Sequence, residues 1–154
     1  MHPEERLREL GLELPSLAPA AGNYIGAVQI DNTLFVSGHG PFRDGALRFI
    51  GTLGDDMSIE EGQQAAQLVA LNMLATIKDV LGDLDRVARV AKLLVMVNST
   101  PDFGDQPTVA NGASDLFCAV YGDARGKHAR SAVGFVNLPF GIAVEIEGVF
   151  EVAR

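Results

Sequence analysis

The chain has 154 residues, 47% of them hydrophobic, enough for one compact domain with a core of its own. Twelve Lys and Arg stand against 20 Asp and Glu, a formal charge of −8, which argues against broad electrostatic attraction to nucleic acid or anionic membranes. The single cysteine, Cys118, excludes an intrachain disulfide, and the charged start MHPEERLRELGLELP lacks the apolar stretch of a signal peptide, so a cytoplasmic protein is expected.

Leu7 and Leu10 suggest a short helix over residues 4–10, broken by Gly11, Pro15 and Pro19. Residues 1–21 are therefore read as an arm that needs a surface to lie on, ahead of a single domain over 22–154. Tyr24 to Ile30 and Thr33 to Ser37 are β-prone runs joined by Asp31-Asn32, a hairpin pattern. A glycine-rich loop follows, with a short strand expected near residues 47–50. Ser58 and Glu61 form a capping box in front of Ala66, Val69, Met73, Ile77 and Val80, which recur at spacings of three and four. This spacing predicts a helix over 59–81 with those five residues buried, ended by Gly82.

Further on, LLVMV reads as a buried strand terminated by Asn98-Ser99-Thr100-Pro101. A second helix begins near Asp105 and Pro107 and ends at Gly122, with Ala110, Ala113, Leu116, Phe117 and Val120 as its inner face. Two strands, 130–137 and 142–152, close the chain. Helices at this spacing would pack on one face of a mixed sheet, giving an α+β fold whose other face needs cover. Self-association is the simplest cover.

The chemistry-bearing residues are few. His2, His39 and His128 show no metal-ligand spacing, and neither a nucleophile elbow nor a phosphate-binding glycine motif is present. Cys118 reads as a small buried hydrophobe, and Ser37 as a strand-end residue bonded to nearby backbone. In the last strand, alternation puts Glu145, Glu147 and Glu151 on one face and Val144, Ile146, Phe150 and Val152 on the other. That polar face either meets solvent or carries a carboxylate into an interface, where it could pair with Arg130 or handle a water molecule. Arg130 alternates with the small residues Ala132 and Gly134. It reads either as a solvated charge or as a fork for a carboxylate ligand. Lys127 and His128 read as surface or rim residues.

Taken together, NTLFVSGHGP, VNSTPDFGDQPTVANGASDLF, HARSAVGFVNLP and AVEIEGVFEV resemble the reactive intermediate deaminases, the RidA or YjgF family long labelled endoribonuclease L-PSP. The resemblance spans roughly residues 22–152 and implies a chorismate-mutase-like α+β fold, two helices on one sheet face, and a homotrimer with intersubunit clefts. It implies that Arg130 holds a substrate carboxylate and Glu145 positions the hydrolytic water. Tyr24, Ser37 and Asn111 match residues lining the cleft. The implied reaction is cofactor-free hydrolysis of 2-imino or enamine acids to 2-keto acids and ammonia. Ala132 stands where the archetype has cysteine, His39 where it has glutamine, and Asn23 where it has proline. Those departures motivate a second reading, a non-catalytic trimer that binds a small carboxylate metabolite or a partner protein. Endoribonuclease and chorismate mutase activities are weaker readings, the latter resting on shared fold alone.

Overall fold

The computed structural model describes all 154 residues. Helix α1 (Pro3–Glu9) precedes the hairpin β1 (Ala27–Ile30) and β2 (Thr33–His39). A small second hairpin, β3 (Phe42–Arg43) and β4 (Ala46–Leu47), leads to α2 (Ile59–Leu81). Then come β5 (Val87–Asn98), α3 (Gln106–Tyr121), α4 (Asp123–Gly126), β6 (Ala129–Phe135) and β7 (Val144–Val152). The main sheet has the order β1-β2-β7-β5-β6; β5 and β6 run parallel, and the other pairs are antiparallel.

The long helix starts where the capping box places it. The Ser58 hydroxyl accepts from the Glu61 N–H, while the Glu61 carboxylate accepts from the Ser58 N–H. It ends at Gly82, whose φ of 81° is a left-handed conformation that costs glycine little. Of the five residues expected inside, Ala66, Val69, Met73 and Ile77 are buried, but Val80 is 45% exposed. Val80 lies in the last turn, where Ile77 and Leu81 take the inward positions and Val80 lines a cleft instead of the core. Asp105 sits at the N-cap of α3 without a side-chain capping bond. Cys118 is only partly buried, so it is not the core hydrophobe its neighbours suggested.

Helices α2 and α3 lie together on one sheet face, over Leu34, Leu93, Val95, Ile146 and Phe150. Their approach is close because Gly112 faces the Gln63 carbonyl, where an added Cβ would stand 2.0 Å from that oxygen. The first helix docks on α3 through Leu7, which is buried, and Arg6 Nε–H donates to the Ala119 carbonyl. The rest of the arm has no regular structure, although Pro15 is buried and Leu12 and Leu14 pack against the core. The opposite sheet face carries no helix. Val28, Phe35, Val133 and Phe135 there are 40–47% exposed.

Candidate functional site

Register separates the sequence-predicted residues into two groups. Ile146 pairs with Val95, which pairs with Ala132, so all three share the helix-covered face. Arg130, two residues before Ala132, is on that face; Glu145, one residue before Ile146, is on the other. Strand β5 also lies between them. A pairing of Glu145 with Arg130 therefore does not occur within one chain. Side-chain alternation on two different strands places them on opposite sheet faces.

The first group gathers Glu145, Tyr24, Gly38 and His39 along one cleft of about 770 Å³. Its walls are the end of the arm, the small hairpin β3–β4, the last turns of α2 and the Pro139–Ile142 loop. Glu145 is half-buried, and burial, followed by the nearby Glu147 charge, raises its carboxyl above the usual range. It takes part in none of the chain's five salt bridges. Gly38 lets the β2 backbone approach it closely, since a Cβ at 38 would lie 2.8 Å from Oε2. Between Val36 and His39 the β2–β7 register shifts, and this irregularity turns the chain at Ser37 and Gly38. Ser37 donates its hydroxyl to the Ile25 carbonyl at 2.7 Å, as expected of a strand-end serine, and this ties the two hairpin strands together beside the cleft. The Tyr24 hydroxyl accepts from the Ala21 N–H at 3.3 Å.

His39 has one arrangement of protons that satisfies both its bonds. Its Nδ1 faces the Ser37 carbonyl at 2.5 Å and must donate; Nε2 then accepts from the Thr76 hydroxyl at 2.7 Å. Burial lowers its pKa, which keeps the ring neutral and the arrangement intact.

The second group is built on Arg130. Its Nη1 donates to Asn111 Oδ1 at 2.8 Å and Ser114 Oγ at 3.1 Å, and Nη2 donates to the Pro107 carbonyl at 3.3 Å. Three of five guanidinium N–H groups are thus used. The Nε–H and one Nη2–H remain, matching the two oxygens of a carboxylate. Arg130 is therefore anchored to α3 and is not a freely solvated charge.

Sequence reading missed the support beneath this anchor. Ser114 donates to His128 Nε2 at 2.9 Å, and His128 Nδ1–H donates to the Gly126 carbonyl at 2.6 Å. His128 is thus half-buried structure and not a rim residue. Burial, with the Arg130 charge adding to it, holds its pKa below the ordinary value. Asn111, Ser114 and Pro107 fall three, four and seven residues apart, one helical face, and that spacing was the available signal. Lys127 does lie at the surface, paired with Asp123 at 2.9 Å. No cluster of three His, Cys, Asp or Glu is placed to hold a metal ion, and no helix is long and apolar enough to cross a membrane.

A five-stranded mixed sheet under two helices, with an arginine on its edge strand and a carboxylate on its open face, puts the chain in the class of α+β proteins whose helices cover one sheet face only. The sequence profile described as "YjgF/chorismate mutase-like, putative endoribonuclease" matches residues 4–143, and the chain belongs to that family. It is 48% identical to Protein TCP17 of Trypanosoma cruzi over 145 residues, 94% of this chain and 91% of that protein. Two crystal structures share its fold over 99% of its length. One is Atu1372 of Agrobacterium tumefaciens, described as of unknown function, at 42% identity, 92% coverage of that chain and a TM-score of 0.91. The other, an endoribonuclease by label from Shewanella oneidensis, has 32% identity, 100% coverage and a TM-score of 0.95. The family match begins inside α1, so the first helix is included in it.

Proposed function

We propose that this protein hydrolyses reactive 2-imino or enamine acids to 2-keto acids and ammonia, in clefts completed by a second copy of the chain. The observation that carries this reading is Arg130, held by three acceptors with two N–H groups left for a carboxylate. Because Glu145 lies on the opposite sheet face, one chain supplies each half of the site. The uncovered apolar face around Val28, Phe35, Val133 and Phe135 offers a surface for association. A homotrimer fits the family resemblance.

An imine is already electrophilic, so the site has to orient it and deliver water. Arg130 neutralises and aligns the substrate carboxylate. Glu145, with its raised affinity for a proton, takes one from water as the oxygen bonds to the imine carbon. It returns that proton to nitrogen, giving a carbinolamine; Glu145 then moves the remaining hydroxyl proton from oxygen to nitrogen as the C–N bond breaks, so that ammonia leaves and the carbonyl forms. The family's endoribonuclease description finds less support here. The charge is −8, and phosphate backbones require several Lys or Arg side by side.

Ammonia release from 2-aminoacrylate generated in situ tests the proposal. Wild-type protein should accelerate it over buffer, Arg130→Ala should raise KM steeply, and Glu145→Gln should reduce kcat while keto acids still bind. Arg130-dependent keto acid binding without any turnover would establish the non-catalytic reading in its place.

A further inference from the structure

Beside Glu145 the cleft is far larger than a three-carbon acid requires. Its volume of about 770 Å³ falls within the range of small-molecule sites, and 12 of its 22 lining residues are hydrophobic. One wall is the arm from Leu17 to Ala21, and facing elements supply Phe42, Leu47 and Val80. No lysine or arginine lines it, while Asp79 and Glu145 contribute two carboxylates.

The polar groups that line it are largely committed elsewhere. His39 is bonded through both nitrogens, and its partner Thr76 spends its hydroxyl proton on that ring. The Asn72 amide nitrogen donates to the Phe42 and Leu68 carbonyls, both at 2.9 Å. The chamber therefore offers no cation, and its one uncommitted side-chain hydroxyl hydrogen is that of Tyr24, whose oxygen accepts from the Ala21 N–H. A second carboxylate on the ligand would face two like charges with no cation to pair it.

We infer that this chamber takes an apolar substrate side chain, so that the substrate is a monocarboxylic 2-imino acid with a branched-aliphatic or aromatic substituent. The inference rests on the deaminase reading: the carboxylate sits on Arg130 of a second copy, the reacting carbon at Glu145, and the side chain between the arm and α2. It also gives the arm a role, since residues 17–21 supply the chamber's outer wall.

Titration calorimetry with a series of 2-keto acids tests this without requiring turnover. Pyruvate, 4-methyl-2-oxopentanoate, phenylpyruvate, 2-oxoglutarate and the guanidino keto acid derived from arginine make up the series. The branched and aromatic acids should bind at least about tenfold more tightly than pyruvate, the gain expected from burying a leucine-sized group. 2-Oxoglutarate should bind no better than pyruvate, and the guanidino acid, although drawn to Asp79 and Glu145, should bind less tightly than the branched and aromatic acids because its charged head leaves water for a largely apolar wall. Val80→Lys places an ammonium in the chamber from an exposed helix position, and should shift the preference towards 2-oxoglutarate. Its melting temperature and its binding of pyruvate report whether the fold survives. Equal affinity across the series, or preference for either charged acid, overturns the inference while leaving the deaminase reading standing. If no acid binds to wild-type protein, both readings fall.

Discussion

Replacing Ser114 by alanine would remove the one hydroxyl that joins Arg130 to His128. Ser114 Oγ accepts from Arg130 Nη1 at 3.1 Å and donates to His128 Nε2 at 2.9 Å. A hydrogen bond to a charged group contributes about 1.5–3 kcal/mol. Ser114 is only partly buried, so water can take over some of what is lost, and the low end applies. About 1.5 kcal/mol corresponds to roughly tenfold weaker binding of a carboxylate ligand, because Asn111 and Pro107 still hold the guanidinium on their side. The assay is calorimetric titration of a 2-keto acid against wild type, Ser114→Ala and Arg130→Ala. His128→Gln should retain most of the affinity, since an amide oxygen can accept the Ser114 proton, whereas His128→Leu should not. An unchanged affinity in Ser114→Ala would refute the reasoning. So would a loss equal to that of Arg130→Ala, which would mean that Ser114 touches the ligand itself.

Three further outcomes follow from the packing. Gly112→Ala should destabilise the protein by about 3 kcal/mol in denaturant melts, because overpacking exceeds the helix-propensity gain of about 1 kcal/mol. Its Cβ would lie 2.0 Å from a backbone oxygen that cannot swing away. Gly82→Ala, with open space but a φ of 81°, should cost only about 1 kcal/mol. Phe117→Ala, at the fully buried contact of α3 with Phe150, should cost about 3–5 kcal/mol by the same measurement. Finally, stability should fall with acidification beginning near pH 6.5. His39 and His128 both have folded pKa values below their ordinary 6.5, so the unfolded chain binds protons first as pH drops. The loss continues until the folded pKa values are reached and is at most about 1.4 kcal/mol per pH unit for each histidine, less for half-exposed His128. His39→Gln should flatten the thermal-melt profile between pH 7 and 5.5; an unchanged slope would show that His39 does not contribute.

Local physics was legible in the chain. The Ser58–Glu61 box and Gly82 delimit the long helix because capping and left-handed glycine act within a few residues. Alternation in the last strand correctly opposes Glu145 to Ile146, since a pleated strand has only two faces. What could not be read was which strand lies next to which. The helical period counted Val80 among the core residues, but Leu81 takes the inward position in that last turn and Val80 faces a cleft. The pattern around Arg130 was open between solvent and ligand until α3 brought Asn111, Ser114 and Pro107 against it.

The sequence by itself determined the α+β layering and the helix limits, for which short-range capping, period and turn chemistry are enough; the two residues on which the function is proposed to rest were marked by the family resemblance, since local pattern left both open to a solvent-facing role. Only the tertiary structure decided that Arg130 and Glu145 lie on opposite faces with β5 between them, that His128 supports the arginine through Ser114, and that the arm walls the cleft beside Glu145. These are contacts between elements far apart in the chain, set by strand order and register, and no local pattern encodes either.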